Sequence, residues 1–488
     1  MKTQADLPET TRYWFDVAMQ WSDARWGDEM GLLRHPLDDG PATDIPKEMI
    51  DRAFTVRDSV WYAAGLFMRR QDGDLARAYQ AIESILTYQF DEPGTPYHGT
   101  FYRYPGEDHP GNDPIIWKDY DPNWREFICT VFIILLREFE ADIPEALQAK
   151  MVQSIKLAAE GAFWRKVDAE YTNISLMSAF LLDDAGRRFD HAEWQTYAFE
   201  QAELIYSLFK RNDTFNEYNS PTYYGIDFYA LALWRKYGTT DAYRQLGAEM
   251  ETGLWRDMAD FYHAGMRNLC GPYDRSYGMD MTDYLAASGL WIGAVQSSEL
   301  APLPDVSQPF DHAADFYLMP VVALVEALPP EDVLPKFVAF PGEQMVERTI
   351  EPNRTVTAWL SEKLMLGAEA DNLNEERTNQ FHPATAHWVM PDGKIGWLRL
   401  RSYSLVQATC EPNQLQLSSK EADDVQYIFQ VRVTGASKDM IGDNRWALPG
   451  LTIELDRPDT PVTVNQDDDK LRIKFGSDGP VTMRFALE

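Results

Sequence analysis

The sequence predicts an α-helical array of hairpins, closed as an α/α toroid or extended as a solenoid, followed by an antiparallel β-sandwich. Three observations carry that expectation. Amphipathic helical patterns recur in pairs as far as about residue 300. Seven prolines, Pro302, Pro304, Pro309, Pro320, Pro329, Pro330 and Pro335, then interrupt the chain. Beyond Val346 apolar and polar residues alternate, the period of a strand with one buried face. The expected organisation is a helical toroid over 1–300, a Pro-rich connecting segment over 301–345 and a β-sandwich over 346–488.

The helices can be taken in order. Residues 8–22 carry Tyr13, Trp14, Phe15 and Trp21 on a segment rich in ring surface. The next helix opens with Asp44 before Pro46, a start signal, and carries Met49, Ala53, Val56, Val60, Ala63 and Phe67 at alternating spacings of three and four. On it Arg57 and Asp58, beside Trp61 and Tyr62, read either as a structural ion pair or as groups facing a sugar cleft. A helix over 73–89 leads into a long loop holding Tyr97-His98-Gly99-Thr100-Phe101-Tyr102-Arg103-Tyr104 and Trp117-Lys118-Asp119-Tyr120-Asp121-Pro122-Asn123-Trp124-Arg125. Long aromatic loops in compact domains are commonly functional. Rings among Asp, Asn, Arg and His suit carbohydrate, whose apolar faces stack while its hydroxyls need hydrogen-bond partners. The same rings can equally hold the loop down by packing on one another.

Paired helical patterns follow at 122–139 with 143–165, 171–185 with 190–211, and 221–236 with 239–263, and a last helix spans 282–295. Asp190, three residues before Glu193, has the order of a capping box, with Trp194, Tyr197, Ile205 and Leu208 on the apolar side. In the second half Tyr427-Ile428-Phe429-Gln430-Val431-Arg432-Val433 and Leu471-Arg472-Ile473-Lys474-Phe475 alternate as strands. The second of these follows Val462-Thr463-Val464 and the acidic turn Asp467-Asp468-Asp469.

Composition narrows the function. An apolar share of 45% with 13% aromatic residues is that of a globular chain. The formal charge of −32, spread along the sequence, argues against nucleic acid and anionic membrane as partners. An acidic sugar can still bind, through a local pocket of Arg, Lys and amide donors that overcomes the global field. Cys129, Cys270 and Cys410 are far apart and odd in number, which predicts free, buried thiols. No apolar run follows Met1, so the expected location is the cytoplasm, or outside the cell if a leader has been removed. The sequence lacks GxGxxG, P-loop, HExxH and nucleophile-elbow motifs, and His382 with His387 is a weak metal pair, so neither cofactor nor metal is expected.

Two polar loops between helical segments concentrate the chemistry. One is Asn216-Glu217-Tyr218-Asn219-Ser220-Pro221-Thr222-Tyr223-Tyr224-Gly225, the other Gly271-Pro272-Tyr273-Asp274-Arg275-Ser276-Tyr277-Gly278-Met279-Asp280. Asn219 and Tyr277 are 58 residues apart, about one antiparallel helix pair with its loops, which returns both loops to one end of a helical array. They are read as one active site. Tyr218, Tyr223, Tyr224 and Tyr273 from these loops, with His98, Arg103, Trp117, Asn123, Trp124 and Arg125 from the aromatic loop, are the candidate substrate-binding residues.

A helical toroid followed by a β-sandwich resembles the heparinase II/III-like polysaccharide lyases and their alginate and chondroitin lyase relatives. The resemblance implies that an Asn or His from one toroid loop and a Tyr from a later loop do the chemistry, often with a His from the β-domain. Asn219, Tyr277 and His382 or His387 stand in that order, with Tyr273 as the other tyrosine that can match. The physical logic agrees. β-Elimination removes the C5 proton of a uronoside beside a carboxylate whose charge opposes carbanion formation, so that charge must be quenched first. Asn219, with Arg275, can donate to the carboxylate, and Tyr277 can take the proton and return one to the leaving oxygen. A phenol needs a neighbouring cation to act as a base at neutral pH, and Arg275 lies two positions away.

Two other classes compete. A toroid glycosidase, similar to the unsaturated glucuronyl hydrolases, needs two carboxylates roughly 5 to 10 Å apart. Glu217, Asp274 and Asp280, with Asp227, Asp58, Asp119 and Asp121 beyond them, are candidates. A non-catalytic carbohydrate-binding protein would use the aromatic residues as a platform and show no turnover.

Overall fold

The computed structural model describes residues 2–36, 54–371, 380–401, 405–420, 425–457 and 460–488. Its helices are α1 (Glu9–Asp23), α2 (Val56–Arg69), α3 (Asp74–Leu86), α4 (Trp124–Glu138), α5 (Glu145–Arg165), α6 (Thr172–Arg188), α7 (Ala192–Asn212), α8 (Tyr223–Tyr237), α9 (Asp241–Phe261), α10 (Ala287–Val295), α11 (Met319–Val325) and α12 (Leu334–Val338). Asp44, Pro46, Met49 and Ala53, expected to begin the second helix, lie outside the described residues. Phe54–Thr55 is a short strand and the helix proper begins at Val56, so the three-and-four spacing does not run unbroken into it.

The chain divides into two compact units. Unit 1 comprises Met1–Lys210, Tyr223–Gly253 and Asp283–Leu328, and unit 2 comprises Arg211–Thr222, Leu254–Thr282 and Pro329–Glu488. The Pro-rich segment therefore contributes α11 to unit 1 and α12 to unit 2.

In unit 1, α1 touches α2, α2 touches α4, α4 touches α6, α6 touches α8, α8 touches α10, and α10 returns to α1. Six helices thus close a ring, which makes this unit a toroid rather than a solenoid. The sequence of each helix matches its place. The ring helix α4 is buried from Trp124 to Leu136 without a break, as a helix apolar on all sides must be. By contrast α5, which packs outside on α4 and α6, buries only a stripe of Leu147, Met151, Ser154, Ile155, Ala158, Ala159, Gly161 and Ala162. Wholly buried α11 contacts α1, α2, α8 and α10, filling the ring. Helices α8 and α10 meet at Gly225, where a Cβ would stand 2.2 Å from the Ala287 backbone, and Trp291 Nε1 donates to the Gly225 carbonyl at 2.8 Å.

Two local expectations are resolved in unit 1. The capping box at Asp190 does not form: α6 runs to Arg188, the chain turns through Asp190 at φ +52°, and His191 Nδ1 accepts the Trp194 amide at the start of α7. The long loop before α4 is held by its own aromatic residues. Phe90 packs on Tyr97 and Tyr102 at centroid distances of 5.1 and 4.2 Å, and Tyr97 packs on Tyr120 at 5.9 Å.

Unit 1 also carries a small antiparallel sheet of β1 (Trp26–Gly27), β2 (Leu32–Arg34) and β3 (Phe54–Thr55). Unit 2 begins its strands with the pair β4 (Tyr262–His263) and β5 (Asn268–Leu269). Its main strands are β6 (Gln344–Glu351), β7 (Arg354–Leu360), β8 (Leu364–Asp371), β9 (Ala384–Val389), β10 (Ile395–Leu400), β11 (Val406–Glu411), β12 (Gln414–Ser419), β13 (Gln426–Arg432), β14 (Arg445–Leu448), β15 (Leu451–Asp456), β16 (Thr463–Asp467), β17 (Lys470–Gly476) and β18 (Val481–Leu487). They form an eight-stranded sheet, β16-β17-β13-β10-β9-β8-β7-β6, and a five-stranded sheet, β11-β12-β18-β15-β14, both antiparallel.

Alternate residues of both sheets build one core. Leu366, Ala386, Trp388, Leu398, Phe429, Val431 and Ile473 face Leu415, Leu417, Ile453 and Met483, the interleaving expected of a sandwich. The intervening residues of the eight-stranded sheet face the other way, and segments 211–222 and 254–282 lie on that outward face. There Gly271 and Gly367 bring two backbones together, and a Cβ on Gly367 would stand 1.8 Å from the Gly271 carbonyl oxygen. Cys129, Cys270 and Cys410 are free and buried, and burial pushes the Cys129 and Cys410 thiols up to about 12. Among the described residues no helix is long and apolar enough to cross a membrane.

Candidate functional site

The loop 271–280 is fastened at nearly every residue within unit 2. Asn219, at φ +44°, donates both amide hydrogens, one to the Cys270 carbonyl and one to the Pro272 carbonyl, each at 2.7 Å. Asparagine tolerates this left-handed backbone better than most residues. The Ser220 hydroxyl donates to the Arg275 carbonyl, and the Asp274 amide donates to the Tyr218 carbonyl at 3.2 Å. Residues 216–222 of the first loop and the second loop are thus one structural assembly within unit 2.

The outward sheet face supplies the other anchors. Tyr273 and His382 exchange backbone hydrogen bonds. The Ser276 amide donates to the Gln380 carbonyl at 3.0 Å, and the Ser276 carbonyl lies 3.2 Å from His382 Nε2. His387 Nε2 donates to the Met279 carbonyl at 2.8 Å, which also accepts from Asn268 Nδ2 at 2.8 Å. Burial lowers the proton affinity of both histidines, His387 to about 4 and His382 well below its ordinary value, with Arg399 and Arg401 adding to the effect on His382. Each is therefore neutral at pH 7 and positions the loop.

Arg354 is the deepest anchor. Buried at the start of β7, it gives Nε to Glu369 at 2.8 Å, Nη2 to Asp274 at 2.9 Å and Nη1 to the Asn216 carbonyl at 3.3 Å. Burial opposes its charge, and Glu369 and Asp274 outweigh that opposition, raising its proton affinity. Sequence reasoning missed Arg354, Glu369, Gln380 and Asn268. A signal for Arg354 exists: Val356, Ala358 and Leu360 share its side of β7, so a charge heads an otherwise apolar row.

Within this assembly Glu217, Tyr218, Asn219, Tyr273, Asp274, Asp280, His382 and His387 are all buried. The Tyr273 hydroxyl donates to the Leu269 carbonyl. Arg275 and Tyr277 are half-buried. Arg275 Nη1 pairs with Glu217 at 2.5 Å and its Nε donates to Gln380 Oε1 at 3.0 Å, so the guanidinium is aimed from both sides.

The candidate carboxylates have structural partners. Asp280 Oδ1 accepts from the Thr282 amide at 2.9 Å and hydroxyl at 2.8 Å. In unit 1, Asp58 is held by Thr55 and Arg57, Asp119 accepts the Ile115 amide, Asp121 accepts the Asn123 amide, and Asp227 is buried.

The remaining candidate binding residues belong to unit 1. His98 lies between the Glu92 amide and Glu160, both at 3.1 Å. Arg103 pairs with Glu107 and donates to the Trp117 and Lys118 carbonyls. Asn123 joins Arg165 to Tyr171. Arg125 is buried, donates to the Pro122 and Pro96 carbonyls and is lowered to about 10 by burial. Trp124 and Tyr224 are buried and Tyr223 is half-buried, whereas Trp117 is 45% exposed at φ +68°.

Family models match both halves of the chain. One described as "Domain of unknown function (DUF8769)" matches residues 12–327, and one described as "Domain of unknown function (DUF8770)" matches residues 343–479. Comparison with curated proteins gives no match. Among solved structures the chain is similar to one described as "Heparinase III-BT4657 gene product, Methylated Lysines", a protein of the kind its domain order resembles. The identity is 8% and the TM-score 0.33, covering 99% of this chain and 85% of the other. It is also similar to endoglucanase CelQ from Clostridium thermocellum complexed with cellotetraose, at 9% identity and a TM-score of 0.31, covering 97% and 92%. At these scores neither likeness carries an argument, and the fold rests on the ring and sandwich contacts above.

Proposed function

The chain belongs to the family described as domain of unknown function DUF8769, and from the chemistry of its own loops we propose that it is a carbohydrate-active enzyme cleaving a uronoside by β-elimination. One observation carries this reading. In the fastened loop assembly the carboxylates Glu217, Asp274 and Asp280 are buried and bonded, while a phenol, Tyr277, and a guanidinium, Arg275, are partly exposed. That pair suits elimination, whereas hydrolysis needs two carboxylates within reach of the sugar.

In the proposed step Arg275 pairs with the substrate carboxylate, withdrawing charge from C5. The Tyr277 oxygen, as phenolate, takes the C5 proton, and the electron pair left behind forms the C4–C5 double bond as the C4–O bond breaks. The proton on Tyr277 then passes to the leaving oxygen. Asn219 does not serve the carboxylate in this scheme, because its amide hydrogens are given to Cys270 and Pro272. It positions the loop, as do His382 and His387, which are too buried and too weakly basic to supply a cation.

The test is absorbance of a 4,5-unsaturated uronate during incubation with acidic poly- and oligosaccharides. Wild type should generate it, and Tyr277→Phe should lower the rate by about 10²–10⁴-fold with an unchanged melting temperature. New reducing ends without that absorbance would replace elimination by hydrolysis.

A further inference from the structure

The outward face of the eight-stranded sheet continues past His387 and Thr385 on β9 into a patch that the loop chemistry does not use. Across β10, β13 and β17 the outward positions form a three-by-three grid. In its first row Trp397 stands opposite Arg432, and Arg432 opposite Lys470. In the second, Arg399 stands opposite Gln430, and Gln430 opposite Arg472. In the third, the Arg401 amide bonds to the Ile428 carbonyl, and Ile428 stands opposite Lys474.

Six of the nine positions are cationic and none is acidic, in a chain of net charge −32. Alternation explains how they share one face: Leu398, Leu400, Phe429, Val431, Leu471, Ile473 and Phe475 point into the sandwich core. Lys470, Arg472 and Lys474 are exposed, and Arg399, Arg401 and Arg432 are half-buried. Asp467, opposite Lys470, is the acid at one corner.

We infer that this grid is a binding surface for the carboxylated or sulfated backbone of a polysaccharide whose neighbouring residue occupies the Arg275–Tyr277 loop, an inference that rests on the proposed function. Continuity selects this occupant. Arg399 pairs in register with Thr385 on β9, and its Nη1 lies 3.1 Å from His382 Nε2, beneath the fastened loop. The grid and the loop therefore share one strip of sheet, with adjacent strands about 4.8 Å apart. A polymer gripped by the cations is led along that strip to Tyr277. Local positive charge within a few ångströms dominates a distributed negative field once salt screens the latter.

The experiment uses the full chain and measures retardation in native gels cast with alginate, a sulfated glycosaminoglycan or neutral hydroxyethyl cellulose, with a single-stranded oligonucleotide and anionic lipid vesicles as competitors. Wild type should be retarded by at least one polyanionic glycan, not by the neutral one, and binding should weaken steeply with salt. R472E/K474E, and the milder R472A/K474A as a check on folding by circular dichroism, should lose at least tenfold in affinity at an unchanged melting temperature. For a long substrate KM should rise by a similar factor, while a disaccharide should be unaffected. Equal binding by the variants, no binding of any anionic glycan by wild type, or preferential displacement by the oligonucleotide or vesicles would overturn the inference. Elimination dependent on Tyr277 with an unaltered KM in the variants would remove the grid and leave the proposed function. Grid-dependent binding without unsaturated product would do the reverse.

Discussion

Arg354 joins β7 to both site loops, and its energetics follow from burial. A guanidinium in this position is tolerable only because Glu369 and Asp274 meet it at 2.8 and 2.9 Å. Arg354→Met would leave two buried carboxylates without their cation, at a cost of about 3–5 kcal/mol. Urea unfolding should report that loss, and the site loops should become accessible to proteases. Arg354→Lys should not restore the wild type, because a single ammonium cannot fork between two carboxylates and a carbonyl. At this scale the sequence points to the two loops but not to the hydrogen bonds that fasten them. Asn219 is legible as a loop residue, but nothing in a one-dimensional string says that its two hydrogens go to backbone carbonyls 51 and 53 residues away.

Glycine governs how closely elements approach. On β8, Gly367 lets the Gly271 backbone lie against the sheet, and the obstacle to any side chain there is backbone, which cannot swing aside. Gly367→Ala should cost about 1–3 kcal/mol, lower the melting temperature, and reduce turnover beyond what the lost stability explains. A variant with normal kcat and KM would show that the seating of 271–280 is not needed for activity. Helices α4 to α9 were legible because they are long, and the paired spacing gave their bounds to within three residues, whereas the last helix, expected over 282–295, begins only at Ala287. The capping box at Asp190 misled, since the end of α6 takes Asp190 into its own turn before α7 begins. The cationic grid was written in plain alternation, Leu398-Arg399-Leu400-Arg401 and Leu471-Arg472-Ile473-Lys474-Phe475. Only strand order and register reveal that these rows are neighbours.

The whole protein should respond asymmetrically to acid. His263, His382 and His387 are buried in unit 2, and burial lowers the proton affinity of each. With folded values below the unfolded one, the unfolded chain binds more protons as pH falls. Their contribution is complete above about pH 6.5 and shrinks toward pH 4, where His387 alone accounts for roughly 3 kcal/mol. Melting temperature measured from pH 7.5 to 4.5 should fall less in His387→Gln than in wild type. Parallel curves would mean that carboxylates alone set the acid limit. The toroid and the sandwich were legible as architectures, whereas which helices touch around the ring and the order of strands in the sheets were not, because these depend on contacts between elements far apart in the chain.

Unit 2 is assembled from three stretches, and the two that bear the site are written into the chain before the sheet that receives them. During synthesis Asn216 and Asp274 leave the ribosome well ahead of Arg354, which follows them by 138 and 80 residues. The loops therefore wait, without their anchor, until β7 and β8 exist. Such long-range closure slows folding and leaves a window open to misassembly. A fragment of residues 329–488 would retain the sheet but lack both coverings, and its Arg354 would have lost Asp274. Expressed alone, it should aggregate, and adding residues 211–282 as a separate chain should rescue it poorly.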